Sequence, residues 1–329
     1  MPTSATVSAP GKLFLLGEHA VVYNGSCLVT AVDSRLWLTL TADESSTSPT
    51  LTINAPDVGL ANWTCPLKES FFRPAYQGPS SFIESSIAVF HRRYPFHANL
   101  KIETRSDFGA NLGLGSSSAT VAATLYALSV VFNADLSPEQ LFAMGVEAIQ
   151  NVQKLGSGAD LAAAIYGGTI YYLNHYPRQI TPLKIDSLPL MVVYSGEKAG
   201  TVSYVRKVAE LEENWPNVIS SVIETMFTVV DSGRERLLAH DWVGLGQLMN
   251  IQHGLLHALG VDTLSLAEIV FAARRSGALG AKLSGAGGGD CAIILVDDAH
   301  RAEVRTALQH KKILDVQANA PGVRTEKRD

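Results

Sequence analysis

The stretch GANLGLGSSSAT at residues 109–120 constrains the fold most, because a glycine- and serine-rich loop leads directly into a long apolar helix. Gly109, Gly113 and Gly115 allow backbone conformations and a close approach that a side chain would prevent. The helix predicted to begin near Ser117 directs unpaired N–H groups and the positive end of its dipole at the loop. These features predict a cradle for phosphate groups, and a polyphosphate suits it best.

The spacing within this loop narrows the choice of phosphate-binding motif. The loop lacks the GxxxxGK[ST] pattern of Walker-type loops and the GxGxxG pattern of dinucleotide-binding loops. Taken alone, the loop has an alternative interpretation as a purely structural glycine turn capped by serines.

Two further segments are rich in small residues. SAPGKLFLLGEHAVVYNG at 8–25 places Lys12, Glu18 and His19 beside glycines and apolar residues, where charged groups are usually paired or functional. KLSGAGGGDCAIIL at 282–295 places four glycines, from Gly285 to Gly289, between two apolar strands. A hairpin needs fewer glycines, so we expect something to approach this backbone closely; a loose turn without a ligand is the alternative.

Asp160 lies between a glycine turn and an alanine-rich apolar helix, in GSGADLAAAIYGG at 156–168. Its simplest role is that of N-cap of this helix. A carboxylate fixed beside a phosphate loop would also suit the orientation or deprotonation of an attacking hydroxyl. The residues alone leave both interpretations open.

The composition excludes several classes of partner. A net charge of −5, a pI near 6.0 and the lack of any basic run argue against nucleic acid. No apolar run reaches the roughly 18 residues of a membrane span, and the N-terminus lacks a secretion signal, so we expect a soluble, cytoplasmic protein with no membrane partner. The three cysteines are far apart, which predicts free thiols.

The chain is predicted to form two domains, at residues 1–175 and 176–329. The proline-rich segment HYPRQITPLKIDSLP at 175–189 marks the boundary, and a polar tail after Ala318 is expected to fray. In LSPEQ at 136–140, Ser137 as N-cap, Pro138 at the first helical position and Gln140 predict a capping box and a helix to about residue 150.

The three small-residue segments, in this order and at these separations, resemble the superfamily of galactokinase, homoserine kinase, mevalonate kinase and phosphomevalonate kinase, the GHMP kinases. The match spans most of the chain. GKLFLLGEHAVVYNG and LMNIQHGLLHALGVDT resemble the mevalonate kinases of this superfamily most, whereas QNVQKLGSGADLAAAIYGG and GAGGGDC are closer to its phosphomevalonate kinases.

The resemblance implies an α+β fold with two domains, an N-terminal ribosomal-protein-like β/α domain that binds ATP and a C-terminal ferredoxin-like α/β sandwich. It implies that a small molecule is the partner and that the γ-phosphoryl group of ATP is transferred, with Mg²⁺, to the 5-hydroxyl of mevalonate. The alternative acceptor is 5-phosphomevalonate; a non-catalytic sensor and an ATP-dependent decarboxylase of the same fold are less favoured. A homodimer is a further family expectation.

The resemblance also assigns roles to individual residues. Asp160 matches the family's proposed catalytic base, Lys12 the lysine beside it, and Ser117 the serine that binds Mg²⁺. The nucleotide phosphates would be held by Gly113, Leu114, Gly115, Ser116, Ser117 and Ser118, and the acceptor would be lined by Glu18, His19, Gly285, Ala286 and Gly287.

The chain departs from the family at the second Mg²⁺ ligand. Mevalonate kinases usually carry a glutamate eleven positions before the base, and here that position is Ile149. Glu147 could substitute by a small shift of the helix, or Ser117, phosphate oxygens and water could hold the metal.

Four polar residues outside the three segments have less specific patterns. Asn250, His253 and His257 share one face of a predicted helix, which could form a metal or substrate site but is more typical of a contact between helices. Lys198, in YSGEK at 194–198, could contact an anionic substrate, although an exposed loop lysine is the simpler interpretation. A phosphomevalonate site should gather two or three cations beyond Lys12, from Arg105, Lys154 and Lys198.

Overall fold

The computed structural model describes residues 3–71, 75–109, 112–154 and 156–327. The strands are β1 (Thr3–Leu16), β2 (Ser26–Asp43), β3 (Thr50–Ala55), β4 (Leu60–Pro66), β5 (Asn99–Ser106), β6 (Thr169–Leu173), β7 (Gln179–Leu183), β8 (Leu190–Tyr194), β9 (Gly280–Ser284), β10 (Cys291–Leu295), β11 (Lys312–Leu314) and β12 (Arg324–Thr325). The helices are α1 (Leu67–Phe71), α2 (Ser81–Arg93), α3 (Ser116–Val131), α4 (Pro138–Val152), α5 (Ala159–Tyr166), α6 (Thr201–Asn214), α7 (Pro216–Leu238), α8 (Trp242–Ala258), α9 (Leu264–Arg275) and α10 (Asp298–Ala307).

The first domain is built on an eight-stranded sheet in the order β12-β1-β2-β5-β3-β4, with β6 paired to the start of β2 and β7 paired to β6. All these pairs are antiparallel except β3 with β5. Helices α2, α3, α4 and α5 pack against one another, and α3 and α5 also pack on β1 and β2. Because α3 is surrounded in this way, most of its side chains are buried, as its small and apolar sequence requires.

The second domain is a four-stranded antiparallel sheet in the order β11-β8-β10-β9. Successive side chains of β10 alternate between its two faces, so Ala292 and Ile294 join the core beneath the helices, while Cys291, Ile293 and Leu295 join the core shared with the first domain. Helices α8 and α9 pack on the strands, α7 packs on α8, α10 packs on α9, and α6 packs on α7. Both faces of this small sheet are therefore buried.

The expected α+β class and two-domain arrangement are confirmed by this architecture. The capping box is also confirmed, because the Ser137 side chain accepts from the Gln140 N–H and the Gln140 side chain accepts from the Ser137 N–H. That reciprocal arrangement fixes where α4 begins, and α4 continues to Val152, two residues beyond the predicted end.

The predicted boundary between residues 175 and 176 falls within a hairpin of the first sheet. Strand β7 follows this point and pairs with β6, because the short alternating segment QITPL supplies an edge strand within the proline-rich stretch. The first sheet therefore extends past the predicted boundary, to Leu183.

The C-terminal segment also returns to the first sheet, so the prediction of a frayed tail after Ala318 is wrong for the described residues. Strand β12 pairs with β1, and Ala320 exchanges backbone hydrogen bonds with Ala31 and Gly168. The buried Arg35 side chain donates to the carbonyls of Pro321 and Gly322 at 2.7 Å each.

Within the part of the chain that the structure describes, every helix is too short or too polar to cross a membrane.

We expect Arg35→Met to lower the free energy of unfolding by about 3 kcal/mol, because two backbone carbonyls lose charge-assisted hydrogen bonds from the buried Arg35 side chain. Urea unfolding measures the change. Arg206→Met, at an exposed arginine on α6, is the matched control and should change little. Equal stability of the two variants would show that strand pairing alone holds the C-terminal segment.

Candidate active site

A cavity of about 590 Å³ lies between the two domains. It collects most of the residues to which the sequence assigned a role: Lys12, Glu18, His19, Gly113, Gly115, Ser116, Ser117, Ser118, Asp160, Gly285 and Ala286 all line it. The three small-residue segments are far apart in sequence, so the fold brings them to one place.

The loop before α3 has the geometry of an anion cradle. Gly113 and Gly115 have φ angles of +74° and +81°, and Gly115 is the N-cap of α3, with no side chain to cap it. The first N–H groups of α3 and its positive dipole end therefore face the cavity. The loop is tied to β1 by the Lys12 N–H, which donates to the Leu114 carbonyl at 2.9 Å. Residues 110 and 111 of this segment lie outside the described residues.

Lys12 and Asp160 form an ion pair at the same end of the cavity, with 3.4 Å between Nζ and Oδ2. Asp160 is not the N-cap of α5, as its simplest interpretation predicted; Gly158 holds that position with φ +88°, and Asp160 lies in the first turn. Its carboxylate is thus free to point into the cavity, and 35% of the side chain is exposed. Lys12 also lies 5.0 Å from the centre of the Phe14 ring, which restricts its position.

Glu18 and His19 line the wall where the two domains meet. The Glu18 carboxylate accepts a hydrogen bond from Lys282 Nζ on β9, and both side chains are almost fully buried, with exposed fractions of 1% and 0%. Burial raises the pKa of Glu18, while the charge and hydrogen bond of Lys282 oppose that rise. We therefore treat the two as a single buried ion pair.

His19 contacts the opposite domain through its ring. Its Nε2 lies 3.0 Å from the Ala286 carbonyl, which can only accept, so Nε2 carries the proton. Burial lowers the pKa of His19 and favours the neutral ring. Nδ1 is then an acceptor, buried and without a hydrogen-bond partner among the described residues.

The glycines between Gly285 and Gly289 pack mostly against other parts of the chain and only partly face the cavity. A Cβ at Gly287, Gly288 or Gly289 would lie within 2.7 Å of another part of the chain. Only Gly285 of the four has open space where its Cβ would be, and it lines the cavity with Ala286. The close approach predicted for this backbone is thus made largely by protein atoms. Gly287 packs on Val261 outside the cavity lining, so its predicted contact with the acceptor is not supported.

Glu147 lies away from the position predicted for a metal ligand. Its two carboxylate oxygens are bound by Arg92 and Arg93, and Ile149, rather than Glu147, lines the cavity. Because two guanidinium groups already neutralise Glu147, we exclude it from the site. Among the described residues there is also no group of three or more histidine, cysteine or acidic side chains that could hold a metal.

The donor set nevertheless fits Mg²⁺ brought in with a nucleotide. Ser117 offers a hydroxyl at the start of α3 and Asp160 a carboxylate in the same cavity. Magnesium binds through few protein oxygens when phosphate oxygens and water complete its coordination.

One end of the cavity is apolar and suits a flat ring. It is formed by side chains of the first domain that share an aliphatic or aromatic character: Leu36, Ala55, Val58, Phe82, Ile83 and Phe108. Thr104, Ser106 and Asp57 add polar groups at its edge. An apolar slot with a few polar groups, next to an anion cradle, is the arrangement that a nucleotide needs.

Sequence analysis missed two charged residues of this region, Lys282 and Asp290. Lys282 is completely buried on β9, where a lysine within the apolar strand GAKLS was the available signal. Asp290 ends the third glycine segment, lines the cavity and contacts Lys198 at 3.4 Å. Both come from the second domain, and their ion-pair partners, Glu18 for Lys282 and Lys198 for Asp290, are distant in sequence.

The polar face of α8 makes contacts within the protein. Asn250 bonds to the backbone at Ala281, on strand β9. His253 and His257 each contact the buried Asp262 carboxylate, at 3.5 and 3.2 Å. Burial lowers the pKa of His253 to about 3, so its ring is neutral. The polar face of α8 therefore makes structural contacts within the second domain.

Comparison with known proteins assigns this architecture to a family. The model described as "GHMP kinases N terminal domain" matches residues 81–168, and "GHMP kinases C terminal" matches residues 234–313. A curated relative from Thermococcus sibiricus, "Mevalonate kinase", is 34% identical over 312 residues, which cover 92% of each chain.

Solved structures share the fold over nearly the whole chain. L. major mevalonate kinase in complex with R-mevalonate is 26% identical with a TM-score of 0.78, and 97% of each chain is covered. Streptococcus pneumoniae phosphomevalonate kinase, in complex with phosphomevalonate and AMPPNP, has a TM-score of 0.79 with 20% identity, covering 95% of this chain and 99% of that one, which shows a common fold alone.

We expect Lys282→Met to destabilise the protein by about 3–5 kcal/mol, because it leaves the buried Glu18 carboxylate without its partner. The double variant Glu18→Gln, Lys282→Met should recover most of that loss, since no buried charge remains. Chemical unfolding of the four proteins of this cycle measures the coupling. Additive losses would show that the two side chains do not depend on each other.

Proposed function

We propose, on the premise that this chain belongs to the GHMP kinase family, that it is an ATP-dependent kinase that phosphorylates the 5-hydroxyl of mevalonate. The observation that carries the proposal is the Lys12–Asp160 ion pair at the mouth of the anion cradle, because it places a base and a cation beside the expected terminal phosphate. The cavity, the curated relatives and the mevalonate-bound structure agree with this reaction.

The nucleotide is held at two places in this scheme. The adenine ring lies in the apolar slot beside Phe108, and the phosphates lie at the N-terminus of α3, against the loop that contains Gly113 and Gly115. Ser117 would hold Mg²⁺, and the ion would neutralise charge on the phosphate oxygens. These contacts fix the γ-phosphoryl group near Lys12.

Transfer then requires an activated hydroxyl. Asp160 accepts the proton of the acceptor hydroxyl, whose oxygen forms a bond to the γ-phosphorus while the bond to the bridging oxygen breaks and ADP leaves. Lys12 lies beside Asp160 and neutralises charge on the transferring group. Glu18 and the Nδ1 acceptor of His19 lie at the wall where the acceptor binds.

The cations that line the cavity favour mevalonate over 5-phosphomevalonate. Of the three candidates for a second phosphate, Arg105 is outside the cavity lining, where it contacts Trp37 and Asp107. Lys198 is paired with Asp290, whose side chain lies against Gly113, so Lys198 lies nearer the phosphate loop than the acceptor wall. Of the three candidates, this leaves Lys154, which lines the cavity and has no ion pair among the described residues. A phosphorylated acceptor should gather two or three such cations.

A sensor of the same fold is less well supported. A ligand sensor needs no base, whereas here Lys12 and Asp160 are both in place and oriented toward each other. The acceptor assay below separates these alternatives.

We expect ADP release with Mg²⁺-ATP to depend on mevalonate, and not on 5-phosphomevalonate, galactose or homoserine at matched concentrations. A coupled assay of ADP formation measures this directly. Turnover with 5-phosphomevalonate alone would reverse the choice of acceptor, and silence with all four acceptors would contradict the proposed function.

We expect Asp160→Asn to lower kcat by roughly 10²–10⁴-fold, the range for loss of a general base, with little change in nucleotide affinity. Glu147→Gln is the matched control, because its carboxylate is bound by two arginines outside the cavity. Steady-state kinetics with the preferred acceptor compare the two. Full activity of Asp160→Asn would remove the base assignment.

We expect Ser117→Ala to raise the Mg²⁺ concentration needed for half-maximal activity, whereas Glu147→Gln should leave it unchanged. A Mg²⁺ titration at fixed ATP gives both values. A higher Mg²⁺ requirement in Glu147→Gln would instead restore the metal role predicted for that residue.

A further inference from the structure

The loop 195–200 of the second domain is fixed to Asp290. The Ser195 N–H donates to the Asp290 carbonyl and the Asp290 N–H to the Glu197 carbonyl, each at 2.8 Å. The Asp290 side chain accepts from the Ala199 N–H at 3.2 Å through Oδ1, which also lies 3.4 Å from Lys198 Nζ. The loop and the end of the third glycine segment therefore form one unit that carries Lys198.

The other side of Asp290 lies against the phosphate loop of the first domain. A Cβ at Gly113 would lie 2.4–2.5 Å from Cβ, Cγ and Oδ2 of Asp290, so the carboxyl group covers the backbone of that glycine. The neighbouring Cys291 thiol donates to the Leu112 carbonyl at 3.1 Å. Asp290 is thus wedged between Lys198 and the phosphate loop.

A carboxylate at this place opposes the binding of a polyphosphate unless a cation offsets it. Asp290 is largely buried, with 13% of its side chain exposed, so water screens its charge poorly. Lys198 is 46% exposed and lines the same cavity as Gly113. An ion pair with a partner this exposed is weak, so Lys198 can contact a second anion while it stays beside Asp290.

We propose that Lys198 is a nucleotide-binding residue that contacts the terminal phosphates from the second domain, and that Asp290 is the positioning residue that holds it there. The inference rests on the proposed function in that the anion in the cradle is a nucleotide. Lys12 and Lys198 then approach the phosphates from opposite domains, since both line the cavity and the Lys12 side chain lies beside Gly115.

The test is calorimetric titration with a non-hydrolysable ATP analogue and Mg²⁺, without any acceptor. We expect Lys198→Met to weaken binding of the analogue about tenfold or more, the effect of one charge-assisted hydrogen bond, and to leave adenosine binding unchanged. Lys198→Arg should retain most of the affinity. Lys184→Met, at an exposed lysine outside the cavity lining, is the matched control and should bind as the wild type does.

A second variant tests Asp290. In the Lys198→Met background, Asp290 is an unpaired carboxylate beside the phosphate loop, so adding Asp290→Asn should recover part of the lost affinity. Asparagine tolerates the φ of +60° at this position, so the double variant is expected to fold. Melting temperatures of all variants check this.

Two outcomes would overturn the inference: wild-type affinity of Lys198→Met for the analogue, or no recovery in the double variant. Because nucleotide binding is measured without an acceptor, a wrong choice of acceptor leaves this test intact. A wild-type protein that binds no nucleotide would instead contradict the proposed function itself.

Discussion

A buried ion pair between Glu18 and Lys282 crosses the boundary between the two domains. Two charges removed from water lose several kcal/mol of hydration each, which their attraction recovers only in good geometry. Such a pair contributes little net stability. We infer that it fixes the alignment of the two domains, because a shift of either segment would leave an unpaired charge in the core. Neighbouring contacts between the domains follow from the same alignment, since Phe14 bonds to Ser284 and His19 to Ala286.

That alignment explains why the cavity has walls from both domains. The first domain contributes the anion cradle and Asp160. The second contributes Lys198, Asp290 and the backbone at Gly285, where no side chain fills the cavity. Each group is held by contacts that involve no ligand, so the site is organised before substrates arrive. Preorganised charges of this kind stabilise a transferring phosphoryl group without reorganisation during the reaction.

The features that sequence analysis predicted are those with a local physical cause. The capping box at Ser137 and the glycines at 113 and 115 depend on neighbouring residues, and the structure places them as expected. The C-terminal return and the partner of Lys282 depend on residues hundreds of positions away, so no local pattern shows them; a lysine within an apolar strand indicates only that it has some partner. The contact made by Gly287 was not predictable for a similar reason. A glycine that makes room for a ligand and one that makes room for Val261 look the same in the sequence.

The return of the C-terminal segment has a consequence for how the chain folds during synthesis. Strand β1 pairs with β12 across more than 300 residues, as Val7 lies opposite Thr325. The first domain is made early, yet the carbonyls that satisfy Arg35 leave the ribosome only after the whole second domain. Until then the edge of β1 has unpaired backbone groups, which are a hazard for association between nascent chains. The first sheet can therefore close only after residues 324–325 have been synthesised, and until then the second domain lies beside an incomplete sheet.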